Sequence, residues 1–418
     1  MKIARHEVNI IGNLALAIAV FGGMFVTLAV IIGFLVRAGR LAADREFPAL
    51  QRPENLADFP FVTIIVPARN EERNIAFCLE LLLALDYPRF EIFVVDDHST
   101  DRTAKIVREI IGRRASRSEV RLFPLGDDPN KEGVEWVCRK SHALWYGAQR
   151  GQGEWILFVD ADTRQKPDTL WRAISLARRH GLQALSMSGM FVNTGFWGGL
   201  LEAVITPAIF LVIPWHRVNN PDDPAAWMNG NFILYDRAAY LAVDGHRAIA
   251  GFIQDDLALA LHSKAMRVRF LFLPVSSAYE CRDYVGLKEA FRGWTRRLAV
   301  GGARLHLDRR SYAFEAGALF VVGVWPVLAA VAGLLGPLAG NRIFGLSFSA
   351  WALAQVGLVI LFQGAVRAVM RMPVWPAVLA PVGAALGIGV VVRGYRARYV
   401  KRVIEHRGRT LAVNDDID

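Results

Sequence analysis

Apolar and polar positions divide this chain into three kinds of stretch. Four stretches carry no charge: Val8 to Val36, Ala316 to Asn341, Ile343 to Val366 and Met372 to Val392. As a helix, each is long enough to cross a hydrocarbon core of about 30 Å, which takes about 20 residues. Between the first and second, short β-branched or aromatic runs alternate with helical spacing. FVTIIVPARNEE, from Phe61, predicts a strand and loop. Glu72 to Leu85 predicts a helix, broken at Tyr87-Pro88. A second strand follows over Glu91–Asp97, then a helix from near Ser99 with Asp101 in its first turn. Val120–Leu125 and Glu154–Asp160 predict further strands, His142–Arg150 a helix and Val268–Leu273 a later strand. Such alternation implies a parallel sheet with crossover connections. The third kind is intermediate. Phe196 to Trp215 is nearly uncharged but interrupted by Glu202, Pro207 and Pro214, and reads as a helix at a membrane interface or near an acceptor channel, with a full span as the alternative. Asp283 to Arg310 is amphipathic and basic, the pattern of a helix on a membrane surface.

Composition agrees with an integral membrane protein: 53% of the 418 residues are hydrophobic. The first apolar block is longer than a cleaved signal's core and reads as an anchor. Six regions are expected: an anchor over 8–36, a connector over 37–60, a catalytic α/β domain over 61–282, an interfacial region over 283–312, C-terminal membrane helices over 313–393 and a basic tail over 394–418. The net charge of +10 gathers beside apolar blocks, notably Arg393, Arg396, Arg398, Lys401, Arg402, Arg407 and Arg409. Basic residues so placed mark the cytoplasmic side. Three crossings after a cytoplasmic domain would put that tail outside, so either one block is re-entrant or the tail departs from the rule. Nucleic acid is not an expected partner, because the basic residues do not alternate with aromatics on a predicted sheet face. Cys78, Cys138 and Cys281 are too scattered for a disulfide framework or zinc spacing.

Chemistry-bearing residues sit where the predicted strands end. Asp160 and Asp162 close one strand, and Asp96 and Asp97 another. Ligands of open α/β sheets bind at the carboxyl edge, and clustered carboxylates there suit a divalent cation that also holds phosphate oxygens. In chain order the features are PARNEE (Pro67–Glu72), DDHSTD (Asp96–Asp101), DAD (Asp160–Asp162), QDDLALAL (Gln254–Leu261) and FRGWTRRL (Phe291–Leu298).

Over about Phe61 to Gly302, this order resembles the membrane-bound family 2 glycosyltransferases of GT-A fold. It is most similar to the lipid-directed branch, which includes hopanoid-associated, carotenoid-ester and ceramide glucosyltransferases. VCRKSHALWYGAQ and GWTRRLAVGG carry that finer likeness. The resemblance implies an α/β GT-A (nucleotide-sugar-binding, Rossmann-like) catalytic domain, with transmembrane α-helices at both ends. It implies that Asp97 reads the uracil ring or ribose, with Glu71 nearby and Pro67 and Arg69 in the same nucleotide-sugar site. Asp160 and Asp162 would hold the ribose and a Mn²⁺ or Mg²⁺ on the diphosphate, which Lys140 approaches. Asp256 would be the base, and Asp255 stands where a glutamate usually precedes it. Trp294, Arg296 and Arg297 would contact acceptor or diphosphate. GWTRR departs from the QxxRW of processive synthases, which favours a lipid over a polymer as acceptor. The expected reaction is inverting, metal-dependent transfer from a nucleotide sugar, UDP-linked, to a membrane lipid. The expected place is the bacterial inner membrane, multi-pass, with the catalytic domain cytoplasmic. The rival readings are a processive polysaccharide synthase and an inactive nucleotide-binding scaffold.

Overall fold

The computed structural model describes residues 58–113, 119–126, 134–192, 195–212, 215–273, 278–282, 286–304, 309–335, 346–369, 373–406 and 409–412, together with 25, 27–29, 31–33, 36 and 52. The expected anchor (8–36) and connector (37–60) therefore lie largely outside the described residues, as does the end of the basic tail. The chain forms two compact units. One is Arg40–Val192 with Pro214–Arg282; the other is Met1–Gly39, Asn193–Ile213 and Asp283–Asp418.

Among the described residues of the first unit, ten strands make two sheets. The larger contains β1 (Val62–Ala68), β2 (Phe90–Asp96), β3 (Glu119–Pro124), β4 (Trp155–Val159), β6 (Ala184–Met187), β8 (Phe232–Asp236) and β9 (Phe270–Leu273), in the order β3-β2-β1-β4-β8-β6-β9. The smaller is β5 (Thr163–Gln165), β10 (Tyr279–Arg282) and β7 (Met190–Val192), in that order. The four strands expected up to Asp160 are present within a residue or two of their predicted ends. These four strands pair in parallel as expected; beyond them β8 runs antiparallel to both β4 and β6, giving the mixed sheet of a GT-A-like fold. An apolar run such as Phe232–Asp236 reads the same in either direction, so its sense was not in the pattern.

The helices of this unit are α1 (Ile75–Leu83), α2 (Thr103–Arg113), α3 (Arg139–Arg150), α4 (Thr169–Arg179), α6 (Trp215–Val218), α7 (Arg237–Ala242) and α8 (Asp255–Ala265). Two begin elsewhere than expected. Asp101 is outside α2, and its Oδ1 accepts from the Thr103 backbone N–H at 2.9 Å, a cap rather than a first-turn residue. Conversely α3 starts three residues before His142, which puts Arg139 and Lys140 in its first turn. The core lies against both faces of the large sheet. Val62, Ile64, Ile65 and Val66 of β1 are fully buried, each stabilising the fold by about 1.5–3 kcal/mol relative to exposure.

The second unit is helical. Its elements are α5 (Phe196–Val212), α9 (Leu287–Arg304), α10 (Arg309–Leu319), α11 (Trp325–Leu335), α12 (Leu346–Val369) and α13 (Ala380–Tyr395). A π turn at Phe320–Val324 joins α10 to α11. A 3₁₀ turn at Trp375–Leu379 leads into α13, and a π turn over Arg396–Lys401 prolongs it. Arg393, Arg396, Arg398 and Lys401 thus ride on a continuing helix instead of a tail. A small hairpin, β11 (Val403–His406) with β12 (Arg409–Ala412), follows. Among the described residues, three stretches are long and apolar enough to cross a membrane: Tyr312–Val331, Ala350–Ala368 and Trp375–Lys401. Within this unit a polar contact ties the N-terminal segment to α12: Gln355 Nε2 donates to Thr27 Oγ1 at 2.9 Å, both residues being fully buried.

Candidate active site

Strand pairing explains why distant motifs meet. β1 and β2 are parallel with Ala68 opposite Asp96, so the next residues, Arg69 and Asp97, leave the sheet side by side. Ile65 faces Phe158 on β4, so Asp160, two residues on, comes level with Pro67. Because β8 is antiparallel, its N-terminal end, preceded by Asn229-Gly230-Asn231, reaches this same edge. The antiparallel strand therefore completes the site that the parallel strands begin.

The first cluster surrounds Asp97, whose side chain is only 6% exposed. Arg69 Nη1 donates to its Oδ2 at 3.1 Å, and Arg139 Nε to its Oδ1 at 2.8 Å. His98 Nδ1 lies 3.1 Å from that Oδ1 and 2.9 Å from Arg139 Nη2. Burial alone would raise the Asp97 carboxyl, but the contact with His98 and the hydrogen bonds and charge of Arg139 and Arg69 outweigh it and hold it below the usual carboxylate range. Around it, the two loops are laced together. Asn70 N–H donates to Ser99 Oγ, Glu71 N–H to Thr103 Oγ1 and Glu72 N–H to an Asp101 oxygen, at 2.8–3.1 Å. Glu71 accepts from Asn74 Nδ2 at 2.9 Å. His98 and Asn70 both have φ of 56°, the left-handed conformation that non-glycine residues rarely adopt outside constrained sites.

Lys140 forms the second cluster. Its ammonium lies 2.7 Å from Asp160 Oδ1 and 3.3 Å from Asp255 Oδ2, joining the DAD strand end to the start of α8. Burial would lower this lysine, yet Asp160 and Asp255 raise it well above its ordinary value. Asp255 is itself pushed up by burial and pulled below its ordinary value mainly by Lys140. Asp256 goes the other way. Burial and the negative charge of Asp255 push it up to about 6, against the smaller opposing pull of Lys140. The Asp256 carboxylate accepts from Leu257 N–H at 2.8 Å and Gly230 N–H at 3.3 Å. A Cβ on Gly230 would stand 2.9 Å from Lys140 Nζ and 3.5 Å from Asp256 Cβ, so glycine is what lets strand end and helix approach.

Among the described residues, no three His, Cys, Asp or Glu side chains gather as a metal cage. The donor chemistry of Asp160 and Asp162 nevertheless fits a hard divalent cation whose remaining ligands are substrate oxygens. The two carboxylates concentrate negative charge: after burial, Asp162 is the largest influence raising the Cys78 thiol, with Asp160 adding to it. Lys140 takes one oxygen of Asp160.

Pro67, Arg69, Glu71, Asp97, Lys140, Asp160, Asp162, Asp255 and Asp256 all belong to this unit, most of them at one sheet edge. Trp294, Arg296 and Arg297 lie on α9 of the helical unit, where Trp294 is buried and the Arg297 guanidinium sits 4.9 Å from its ring centre. Sequence reasoning passed over Arg139, and took His98 for a turn residue. Arg139 had a usable signal: two cations in the first turn of a helix oppose its dipole, so something other than helix stability holds them there.

Residues 63–240 match the family model described as glycosyl transferase family 2. Beta-monoglucosyldiacylglycerol synthase of Nostoc sp. is 29% identical over 306 residues, covering 71% of this chain and 60% of the synthase. The 4,4'-diaponeurosporenoate glycosyltransferase of Staphylococcus aureus is 26% identical over 290 residues, covering 66% of this chain and 70% of that protein. The chain thus spans less than two thirds of the Nostoc synthase. Among solved structures, the mannosyltransferase of Pyrobaculum calidifontis in complex with GDP-Man and Mn²⁺ aligns with a TM-score of 0.47 and 20% identity, over 85% of this chain and 97% of that one. From Thr63 through Tyr240, which takes in the strand ends that carry Asp97 and Asp160, this chain is a glycosyl transferase family 2 domain.

Proposed function

We propose that the protein transfers a sugar from a UDP-linked donor to a membrane lipid, with inversion at the anomeric carbon. The observation that carries this reading is the Lys140 bridge, which ties the diphosphate-side carboxylate Asp160 to the Asp255–Asp256 pair. Arg69 and Arg139 would offer guanidinium donors beside Asp97 for the nucleoside end of the donor. Asp256 is the group poised to take the acceptor's hydroxyl proton, because its environment brings its affinity for protons near neutrality. Asp255 stays ionised against Lys140 and acts by orienting that lysine. A Mn²⁺ or Mg²⁺ held by Asp160 and Asp162 would supply charge stabilisation for the departing diphosphate. Lys140 adds a point charge on the same side. A single base opposite the leaving group gives one in-line displacement and hence inversion. The lipid acceptor is supported by the apolar helices of the second unit and by the lipid products named for the Nostoc relative. The matching place is a bacterial inner membrane, with the catalytic unit on the cytoplasmic side where nucleotide sugars are made.

The test is transfer by the purified protein supplied with total membrane lipid, a panel of UDP- and GDP-sugars, and Mn²⁺ or EDTA, beside Asp256→Asn. A metal-dependent glycolipid absent from the variant is expected. Long polymer as product would overturn the lipid acceptor. Intact nucleotide binding with no turnover of any donor would point to an inactive scaffold.

A further inference from the structure

Among the described residues, three stretches of the helical unit have the length and composition to cross a bilayer, but their packing separates them. α5 cannot cross. β6 precedes it and β8 follows it, and these strands are hydrogen-bonded to each other, so both ends of α5 lie on one side. Nor does it stand upright in the bilayer. Its 17 residues span about 25 Å at 1.5 Å each. Only six residues separate Val212 from Asn219, which exchanges two hydrogen bonds with Phe272 of β9 at 2.8–2.9 Å. With Trp215–Val218 helical, that link reaches about 20 Å at most. α5 therefore lies along the membrane surface.

The last apolar stretch lies alongside α5 and α9. A Cβ on Gly383 would meet the Leu200 carbonyl oxygen at 3.1 Å and Val204 at 3.0 Å, and one on Gly387 would meet Val204 at 3.4 Å. Further on, Gly389 faces Phe291 at 3.2 Å and Gly394 faces Leu298 at 3.3 Å, while Arg398 donates to the Ala299 carbonyl at 3.4 Å. Positions 383 to 398 thus stay beside helices that cannot enter the hydrocarbon. α9 is held out by its exposed Lys288, Glu289, Arg292 and Arg297. What remains free of these neighbours, Trp375–Val382, is eight residues or about 12 Å, far short of the ~30 Å needed. Tyr312–Gly323 joins this layer, with the Tyr312 ring 5.9 Å from those of Tyr395 and Tyr399 and Gly323 against Ala384. The chain leaves the layer at the π turn and Pro326, where helices bend. From Gly323 the uncharged run continues to Asn341, 19 residues. α11 then packs on α12 through Ala329, Ala330 and Ala352.

We propose that Trp375–Lys401 does not cross the membrane but lies in the headgroup interface of the bilayer with α5, α9 and α10. Two crossings, not three, then follow the catalytic unit. The partner is the lipid surface itself. One exposed line of the helix offers Trp375, Val378 and Val382, then Arg393 and Arg396, apolar and basic groups suited to acyl boundary and anionic headgroups. An even number of crossings also returns Arg367 and the basic residues after Val392 to the side of the catalytic unit, which removes the conflict with the positive-inside tendency.

The inference rests on the membrane reading above but not on the transfer reaction, and its test reads sidedness alone. Single cysteines Trp375→Cys and Val403→Cys would be labelled with a membrane-impermeant maleimide in sealed vesicles of each orientation. The native cysteines among the described residues are buried. Arg108→Cys, exposed on α2, reports the catalytic side, and Asn341→Cys the far side. Residues 375 and 403 are expected to label together with 108 and opposite to 341. Labelling of 375 and 403 from opposite sides would overturn the proposal and leave the transferase reading intact. Recovery of the full chain in the soluble fraction would overturn the membrane reading as well. Val378→Cys repeats the measurement if Trp375→Cys does not accumulate.

Discussion

Asp97 and Asp256 are two carboxylates of one unit with opposite surroundings. Asp97 is clamped by two guanidinium groups and kept ionised. Asp256 has backbone N–H donors and a carboxylate neighbour, with the nearest cation engaged elsewhere, and takes up a proton near pH 6. The lesson is that cations, not burial, separate them, since burial pushes both carboxyls up. A clamped carboxylate can hold shape and bind; one poised near neutrality can exchange a proton.

The hardest blow to this contrast is Asp256→Asn. Transfer should fall by about 10²- to 10⁴-fold in kcat, with donor affinity unchanged in a binding assay. A fall of only a few-fold would mean that the base is elsewhere. Asp97→Asn should act on stability as well as on donor binding, because it leaves Arg69 and Arg139 facing a neutral side chain. A loss of about 3 kcal/mol at pH 7 is expected from chemical denaturation. The sign follows from the lowered carboxyl: its contribution is present above the ordinary value of about 3.9 and is lost as pH falls through its lower folded value. The two proteins should therefore converge in acid, and a gap that persists there would assign the effect to packing. Next, log kcat/KM should drop with unit slope below about pH 6 as Asp256 protonates, and Asp97 should add no limb between pH 5 and 8. A flat profile down to pH 5 would remove the distinction. Smallest is Gly230→Ala, which crowds Lys140 Nζ. A several-fold loss of kcat/KM with stability within about 1 kcal/mol is expected, because the crowded atom ends a flexible side chain. A large stability loss instead would show that the backbone itself must give way.

Much of this site could be read before any coordinates. Buried parallel strands are nearly continuous apolar runs, and those ending in Asp97 and Asp160 stood out for that reason. The partners of the carboxylates were harder to find. Arg139 and Lys140 are adjacent in sequence, but on a helix they point about 100° apart and serve different aspartates. Gly230 has no chemistry of its own and matters only through what would fill its place. The direction of β8 depends on a long connection with no local signature. Charge-free length likewise marked Met372–Val392 as a span, whereas the neighbours along that helix are a tertiary property.

The Gln355–Thr27 hydrogen bond joins positions 328 residues apart. At about 5–20 residues per second, ribosomes need roughly 16–65 s to make that interval. The first apolar segment is thus synthesised long before the amide that will hold it exists. A threonine suits such a wait, since its hydroxyl can turn back onto a carbonyl of its own helix until a better partner arrives. The contact is a late clasp, closed only after the catalytic unit has been translated, and it makes the order of manufacture part of the molecule's design.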